Sequence, residues 1–392
     1  MALPNLHYIL LTSVIVLNLA SVAYIVLAIR RVAGFRPQRN PTAAFRPAVT
    51  VLKPICGLDV DLYKNLQSFC LQDYPTYQVI FGVRDAGDPA ITIARQLIAE
   101  RPDCDLSLVI DPQVTGPNLK VSNLHNMSAA AKHAHLVIAD SDMRVDAGYL
   151  ATIIAPFDDP QVGAVTCLYS GTPRGGLPSV LASMFINEWF LPSVLVSNGL
   201  RNIRFGLGAT VVVRRDLLEQ IGGFSGLAHY LADDHMIGKL ISDLGYRVVL
   251  SGYVVENRVY ESSLSAMLRH ELRWARTVRA VEPLGHAFSF FMYGIPLAMI
   301  ASVMLASQLQ MYTLAVAITA IAVILRCLLH VRVHRKLDLP TDGRAIWLVP
   351  VRDTLSFLVW GASFFSRKIE WKNMTFTVDP NGLMTATKGY ES

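Results

Sequence analysis

Apolar residues are unevenly spread along the chain, with long uncharged runs near both ends and short apolar runs in the middle. Residues 8–29 carry no charge and are long enough to span a bilayer. Five arginines follow in residues 30–46, before the first acid, Asp59. Because positive charges stay in the cytoplasm, this order predicts an outside N-terminus and a cytoplasmic middle. A cleaved signal peptide is the alternative, but residues 1–7 contain no Lys or Arg.

A second apolar block, residues 287–325, has no charge and is followed by several basic residues. It predicts a transmembrane hairpin over residues 287–330 that returns the chain to the cytoplasm. A third stretch, residues 345–366, contains Arg352 and Asp353. Charges deep in a membrane are costly, so an interfacial or re-entrant helix is favoured here, with a full span as the alternative.

The middle of the chain, residues 48–282, reads as an α/β domain. Short apolar runs predict buried strands at residues 49–52, 79–83, 106–110 and 136–139. Helical patterns separate them at residues 61–71, 89–100 and 121–133. Strands that alternate with helices predict a mostly parallel sheet covered on both faces.

Composition supports a membrane protein. The chain of 392 residues is 52% hydrophobic and 17% charged, with mean hydropathy +0.38, which excludes a disordered chain. A net charge of +5 is too small to indicate nucleic acid binding and fits an anionic membrane surface. No G-x-G-x-x-G follows the first strand, which argues against a dinucleotide site. Gly206 and Gly208 predict a tight backbone approach before a strand at residues 211–213.

Acidic residues follow two of the predicted strands. Asp85 and Asp88 come after the second strand, and Asp140 and Asp142 come after the fourth. Ligands of open α/β sheets bind beyond the carboxyl ends of the strands. Two carboxylates there can hold Mg²⁺ or Mn²⁺ against a substrate diphosphate, whereas a turn closed by Asp side chains is the plainer alternative.

Two further motifs carry candidate chemistry. Asp233 and Asp234 open a helical run over residues 236–244, where one acid can cap the helix while the other serves as a general base. Residues 269–276, directly before the hairpin, read Arg-His-Glu-Leu-Arg-Trp-Ala-Arg. This segment is either a basic amphipathic helix at the membrane or a source of leaving-group stabilisation from Arg273, with Trp274 beside the acceptor.

The order Asp88, Asp140-x-Asp142, Asp234 and Arg273-Trp274 resembles the D, D, D, (Q/R)xxRW pattern of inverting nucleotide-sugar transferases with the GT-A fold. Segments spread over most of the chain resemble the ceramide glucosyltransferases and the bacterial relatives that glycosylate hopanoid lipids. These segments are residues 52–57, 72–75, 88–90, 120–124 and 140–145. One position departs from the pattern, because His270 stands where the family has Gln or Arg.

The resemblance implies a Rossmann-like GT-A domain with membrane helices. It also implies a UDP-sugar donor (UDP-glucose or UDP-N-acetylglucosamine), a ceramide or hopanoid lipid acceptor, and a divalent metal, Mg²⁺ or Mn²⁺. By the resemblance, Asp140 and Asp142 hold the metal and Asp234 is the general base. Arg273 and Trp274 complete the catalytic set. The implied donor contacts are Asp88, Asp85, Lys53, Lys120 and His270.

The implied localisation is an integral membrane protein with a cytoplasmic catalytic domain, in the bacterial inner membrane if the bacterial relatives are the guide. Two alternatives stay open. One is a polyprenyl-phosphate glycosyltransferase, and the other is a non-catalytic membrane scaffold that retains the fold. Phe185, Trp189 and Phe190 can line an acceptor path or can simply pack in a core.

Overall fold

The computed structural model describes residues 3–38, 45–339, 345–366, 368–371, 374–379 and 382–388. The chain divides into two units. The first, called the α/β unit, comprises Arg36–Gly176, Leu200–Glu261 and Arg367–Ser392. The second, called the helical unit, comprises Met1–Phe35, Leu177–Gly199 and Ser262–Ser366.

The α/β unit is built on an eight-stranded sheet. Its strands are β1 (Val49–Pro54), β2 (Tyr77–Val83), β3 (Asp105–Ile110), β4 (His135–Ile138), β5 (Met143–Arg144), β6 (Val162–Pro173), β7 (Val211–Arg214) and β8 (Arg247–Val259). Their spatial order is β3-β2-β1-β4-β7-β6-β8-β5. Strands β1 to β4 pair in parallel, whereas β7 is antiparallel to both of its neighbours. The carboxyl ends of β1, β2 and β4 therefore meet at one edge.

Helices cover both faces of this sheet. They are α2 (Leu62–Cys70), α3 (Ala90–Glu100), α4 (Leu119–Ser128), α5 (Tyr149–Ile154), α8 (Arg215–Gln220), α9 (Gly223–Leu227) and α10 (Asp233–Asp243), with a 3₁₀ turn at Ala155–Asp158. Every residue of β1 is buried, as expected for a strand with helices on both sides. Two hydrophobic cores result, one around Phe69 and Tyr149 and the other around Met127 and Leu217.

A smaller sheet completes the α/β unit. Its three antiparallel strands are β9 (Lys368–Trp371), β10 (Met374–Val378) and β11 (Met384–Lys388). The backbone of this sheet meets the segment before α10, because Leu231 N donates to Gly382 O at 3.1 Å and Met384 N donates to His229 O at 2.8 Å.

The helical unit contains the remaining helices. They are α1 (Leu3–Gly34), α6 (Leu177–Phe185), α7 (Leu191–Leu200), α11 (Leu264–Val281), α12 (Pro283–Phe288), α13 (Gly294–Leu309), α14 (Tyr312–Leu337) and α15 (Ala345–Ala362). A π-helical turn, Ile186–Phe190, joins α6 to α7, and 3₁₀ turns lie at Ser289–Met292 and Ser363–Phe365.

By length and composition, four described segments can cross a membrane: Leu11–Gly34, Leu177–Leu200, Tyr312–Leu337 and Ala345–Phe365. A fifth candidate, Pro283–Met292 with Gly294–Ser307, is bent by 65°.

The elements follow the sequence pattern with three differences. The strands predicted before residue 140 appear as β1 to β4, and the helices between them as α2 to α4. The sheet is more mixed than predicted, because β7 inserts antiparallel beside β4. The predicted helix at residues 121–133 begins at Leu119 and ends at Ser128, where Ala130 N turns back to Met127 O. Helix α10 begins at Asp233 and so includes both acids.

The unit boundaries differ from the predicted domain of residues 48–282. Residues 177–199 and 262–282 group with the helical unit, and residues 367–392 return to the α/β unit.

The charges that favoured an interfacial position for residues 345–366 are fully buried inside the helical unit. Arg352 donates to both carboxylate oxygens of Glu271, at 2.8 and 2.7 Å. Asp353 accepts from the Trp189 indole at 2.8 Å, which makes Trp189 a core residue. Pairing of this kind offsets part of the cost of placing charges in a membrane.

Candidate active site

Lys120 connects two acidic segments of the α/β unit. Its ammonium lies 2.8 Å from Oδ1 of Asp140, just after β4, and 3.5 Å from Oδ2 of Asp233, at the start of α10. Helix α4 begins at this point because Asn118 caps it, accepting from Val121 N at 3.2 Å. The Asn118 amide also donates to Asp233 at 3.3 Å. The Asn118 side chain thus fixes the start of α4, which carries Lys120, and also contacts the start of α10.

Two glycines allow Asp234 to approach Asp140. Gly206 N donates to the main-chain oxygen of Asp234 at 3.2 Å, and a Cβ on Gly206 would lie 2.4 Å from that oxygen. A Cβ on Gly208 would lie 3.3 Å from Oδ2 of Asp234 and 3.4 Å from Oδ2 of Asp140. The carboxylates of Asp140 and Asp234 therefore both lie next to Gly208. The N-cap position of α10 is Ala232, so Asp233 and Asp234 both lie in the first turn of the helix.

Asp142 is held by β8. Its Oδ2 accepts from the Asn257 amide at 2.9 Å, and its main-chain oxygen accepts from Arg258 N at 3.0 Å. Between the two acids of the motif, the Ser141 hydroxyl donates to Asp59. Asp59 and Asn257 were not predicted. Asp59 follows β1 and carried the same strand-end signal, whereas Asn257 lies inside a long strand and carried none.

Lys53 supports Asp140 from within the core. Its side chain is fully buried in β1, its ammonium donates to the main-chain oxygen of Asp140, and it sits 3.7 Å from the centroid of the Phe69 ring. This placement differs from the predicted direct contact with a nucleotide. Lys53 instead fixes the backbone from which the Asp140 side chain projects.

The surroundings of this cluster raise the pKa of two of its acids. Burial, with added repulsion from Asp140 and Asp59, raises the pKa of Asp142 to about 7. Burial and the neighbouring Asp233 raise the pKa of Asp234 to about 7, although Lys120 opposes the shift. The local cations do not neutralise all of this negative charge.

The two lysines respond to the cluster in opposite ways. Burial lowers the pKa of Lys53 to about 7, although Asp140 and Asp142 oppose that shift. Burial also acts to lower the pKa of Lys120, but Asp140, Asp233 and Asp234 outweigh it and the pKa is raised. Lys120 is therefore the firmly charged member of the pair.

Asp140 and Asp142 fit a divalent cation. Carboxylate oxygens are the ligands that Mg²⁺ and Mn²⁺ prefer, and the raised pKa of Asp142 marks negative charge that a cation would relieve. Among the described residues these two acids belong to no group of three ligand atoms within 4.8 Å of one another. Phosphate oxygens and water would complete the coordination, as is common for Mg²⁺ in nucleotide enzymes.

Asp85 and Asp88 form the turn after β2. Asp85 is exposed, and its Oδ1 accepts from Gly87 N at 2.8 Å. Asp88 accepts from Ala90 N, at the start of α3, and from Gly57 N, in the loop after β1, both at 2.8 Å. Asp88 thereby ties the loops after β1 and β2 together, as in the turn alternative, and its contact with a donor stays a prediction.

The last three predicted residues, His270, Arg273 and Trp274, lie on α11 of the helical unit. Ser263 caps this helix, accepting from Ala266 N at 3.1 Å. The Trp274 ring centroid lies 4.3 Å from that of His270 and 6.4 Å from that of Phe185. The structure thus assembles Lys53, Lys120 and the acids after β4 in one unit and the aromatic pair in the other.

A mixed sheet with an Asp-x-Asp motif at a central strand end defines the class as a GT-A glycosyltransferase fold. The solved structure of mannosyltransferase PcManGT from Pyrobaculum calidifontis, in complex with GDP-Man and Mn2+, supports this class. It aligns with a TM-score of 0.53 at 20% identity, over 91% of this chain and 99% of its own. The predicted fold class is confirmed.

The particular family follows from the sequence match. Residues 13–384 match glycosyl transferase family 21, and the chain belongs to this family. Ceramide glucosyltransferase 3 of Caenorhabditis elegans is 25% identical over 251 residues, which are 62% of this chain and 54% of that protein. The ceramide glucosyltransferase of Komagataella phaffii is 37% identical over 107 residues, 26% of this chain and 21% of its own length. The match thus spans about half the length of the worm relative.

Proposed function

We propose that the protein is an inverting glycosyltransferase that moves a hexose from a UDP-sugar to the hydroxyl of a membrane lipid of ceramide or hopanoid type. The observation that carries the proposal is the approach of the Asp140 and Asp234 carboxylates to the same side of Gly208, with Lys120 paired to the first. A single displacement at the anomeric carbon of a sugar phosphate requires a general base for the attacking hydroxyl. It also requires a group nearby that stabilises the negative charge of the leaving phosphate.

Asp234 takes the part of the general base. It removes the proton of the lipid hydroxyl as that oxygen attacks the anomeric carbon, so an α-linked donor gives a β-linked product. Its pKa of about 7 suits this task, because a base is most effective when its pKa lies near the working pH. The hydrogen bond from Gly206 N fixes the backbone of Asp234. The carboxylate of the neighbouring Asp233 is already engaged by Asn118 and Lys120, which leaves Asp234 as the base.

Asp140 and Asp142 would hold the divalent ion, which neutralises charge on the leaving diphosphate when bound. Asn257 orients Asp142, and Lys53 orients the backbone of Asp140. Lys120 stays charged and is the cation of this unit best suited to a phosphate oxygen. Arg273 stabilises the departing UDP, and Trp274 lines the acceptor side with His270 packed against it.

Asp88 and its weaker partner Asp85 contact the uridine part of the donor in this scheme. The bond from Gly57 N fixes Asp88 at the sheet edge where the other acids lie, which supports this assignment.

The apolar helices give the catalyst access to a water-insoluble acceptor. The described segments that can cross a membrane belong to the helical unit, apart from the terminal residue Leu200. The arginines after residue 29 and the basic end of α14 support a cytoplasmic position for the α/β unit by the positive-inside rule. Ceramide and hopanoid polyols both present their hydroxyls at the level of the lipid headgroups, at the membrane surface.

The test is product identification. The purified full chain in nanodiscs would be given UDP-glucose, UDP-N-acetylglucosamine or GDP-mannose with ceramide, diacylglycerol, bacteriohopanetetrol or a polyprenyl phosphate. We expect a UDP-sugar and a lipid alcohol to yield a glycolipid, found by mass, with a β linkage found by NMR. An α-linked product, a product on polyprenyl phosphate alone, or no product with any pair would contradict the proposal.

A further inference from the structure

A second group of potential metal ligands lies in the helical unit, apart from the acids of the α/β unit. Glu188 comes from the π-helical turn between α6 and α7, and His330 and His334 come from the last turns of α14. Among the described residues these three make the one set whose ligand atoms all lie within 4.8 Å of one another. All three side chains are buried.

The geometry converges on the Glu188 carboxylate. His330 Nδ1 lies 2.6 Å and His334 Nε2 lies 4.0 Å from its Oε1. The two imidazoles are four residues apart on one helix, so they share a face, and their ring centroids are 4.2 Å apart. A His-x-x-x-His pair on a helix is a common zinc-binding arrangement. The π-helical turn that delivers Glu188 is a local irregularity of the kind often found at functional sites.

A second observation points to a ligand for this group. Among the described residues, Oε2 of Glu188 has no hydrogen-bond partner, although the side chain is only 1% exposed. A buried carboxylate oxygen without a partner is unfavourable, so this oxygen is suited to contact with a cation.

The neighbouring arginine does not meet that need. Arg326, one turn earlier on α14, lies 3.4 Å from the Asp353 carboxylate and 3.9 Å from the centroid of the Trp189 ring. Among the described contacts it reaches only the main-chain oxygen of Glu188, at 3.5 Å. The Glu188 carboxylate is therefore left facing the two imidazoles.

We propose that Glu188, His330 and His334 form a binding site for a zinc-class transition-metal ion that fastens the Leu177–Leu200 segment to α14. Two imidazoles and one carboxylate are a ligand set suited to Zn²⁺, and three protein ligands leave one tetrahedral position for water or another ligand. This site differs in chemistry from Asp140 and Asp142, whose oxygens suit Mg²⁺ or Mn²⁺. It does not depend on the proposed transferase activity.

The test uses metals alone as probes. The purified full chain in nanodiscs would be stripped with a chelator and titrated with Zn²⁺ by calorimetry and with Co²⁺ by visible absorption. We expect one equivalent to bind without any nucleotide, tetrahedral Co²⁺ bands to appear, and the Tm to rise with Zn²⁺. Glu188→Gln and His334→Gln should each abolish the stoichiometric binding, the Co²⁺ bands and the Zn²⁺-dependent rise in Tm.

Two controls separate the site from other effects. His286→Gln alters another buried histidine of the helical unit, which bonds the Ser363 hydroxyl at 2.8 Å, and should keep the metal. Asp140→Asn should keep it too, because that residue belongs to the donor site. If the variants fold poorly, the wild-type chain still decides, because X-ray absorption must show two imidazole nitrogens on bound Zn²⁺. A stripped wild-type chain that binds neither metal, or a His334→Gln chain that binds like wild type, would overturn the proposal.

Discussion

The two units manage buried charge in opposite ways. In the helical unit, Arg352 pairs with Glu271 and Arg326 pairs with Asp353, and the Glu188 carboxylate is the exception among the described residues. In the α/β unit, acids gather after β1, after β4 and at the start of α10 around two lysines, and the pKa values of Asp142 and Asp234 rise to about 7. Each member of a buried pair offsets part of the desolvation cost of the other, whereas an unbalanced cluster is suited to binding a cation or to taking up a proton.

The largest expected effect is on the unbalanced cluster. Asp234→Asn should lower turnover by about 10² to 10⁴-fold, because the amide cannot accept the proton, while UDP-sugar binding persists. Rate and donor affinity would be measured separately, by product formation and by calorimetry. Asp243→Asn, on the exposed end of the same helix, is the matched control and should leave both unchanged. Near-normal turnover in Asp234→Asn would remove the base assignment.

The paired charges should show their effect in stability. Arg352→Met leaves Glu271 buried without its bidentate partner and should cost about 3–5 kcal/mol of unfolding free energy. Thermal unfolding in nanodiscs would measure the loss. The double variant Arg352→Met/Glu271→Leu should recover most of it, because a buried pair can often be replaced by apolar residues. A double variant as unstable as the single one would show that the pairing is not what the fold requires.

A smaller effect is expected where β8 supports the Asp-x-Asp motif. Asn257→Ala removes the hydrogen bond to Asp142 and should lower the affinity for Mn²⁺ by about 10- to 100-fold. This is the usual range for residues that orient a metal ligand. The Mn²⁺ concentration that gives half-maximal activity measures it. Asn202→Ala, an exposed amide of the same unit, should leave that concentration unchanged.

The smallest effect belongs to an exposed pair. Lys239 and Asp243 are 2.8 Å apart on α10, with about half of each side chain exposed. Lys239→Ala should change the unfolding free energy by about 0.5 kcal/mol or less, and less still at high salt. A loss as large as that of Arg352→Met would show that burial does not separate the two kinds of pair.

The elements that the sequence predicted well are those whose local pattern matches their environment. Strands β1 to β4 are parallel and covered on both sides, so they appear as continuous apolar runs. Because ligands bind at the carboxyl ends of such strands, Asp88, Asp140 and Asp142 could be predicted as candidate site residues from the sequence alone. The resemblance added Asp234 and the Arg273-Trp274 pair.

The features that the sequence did not reveal depend on partners far along the chain. Asn257 lies in β8, whose buried and exposed residues alternate through a mixed polar sequence, so nothing local marks its contact with Asp142. Arg352 and Asp353 seemed unsuited to a membrane helix because their partners Glu271 and Trp189 are 81 and 164 residues away. Lys53 looked like a nucleotide ligand, but only the packing against Phe69 shows that it is interior.

The most direct measurement of the central claim is UDP release by the purified full chain when the lipid acceptor is added to the UDP-sugar, with and without excess EDTA. The site described here requires that release depend on both the lipid and a divalent ion, that EDTA abolish it, and that Mg²⁺ or Mn²⁺ restore it. UDP release that continues at full rate in excess EDTA would contradict a metal site at Asp140 and Asp142.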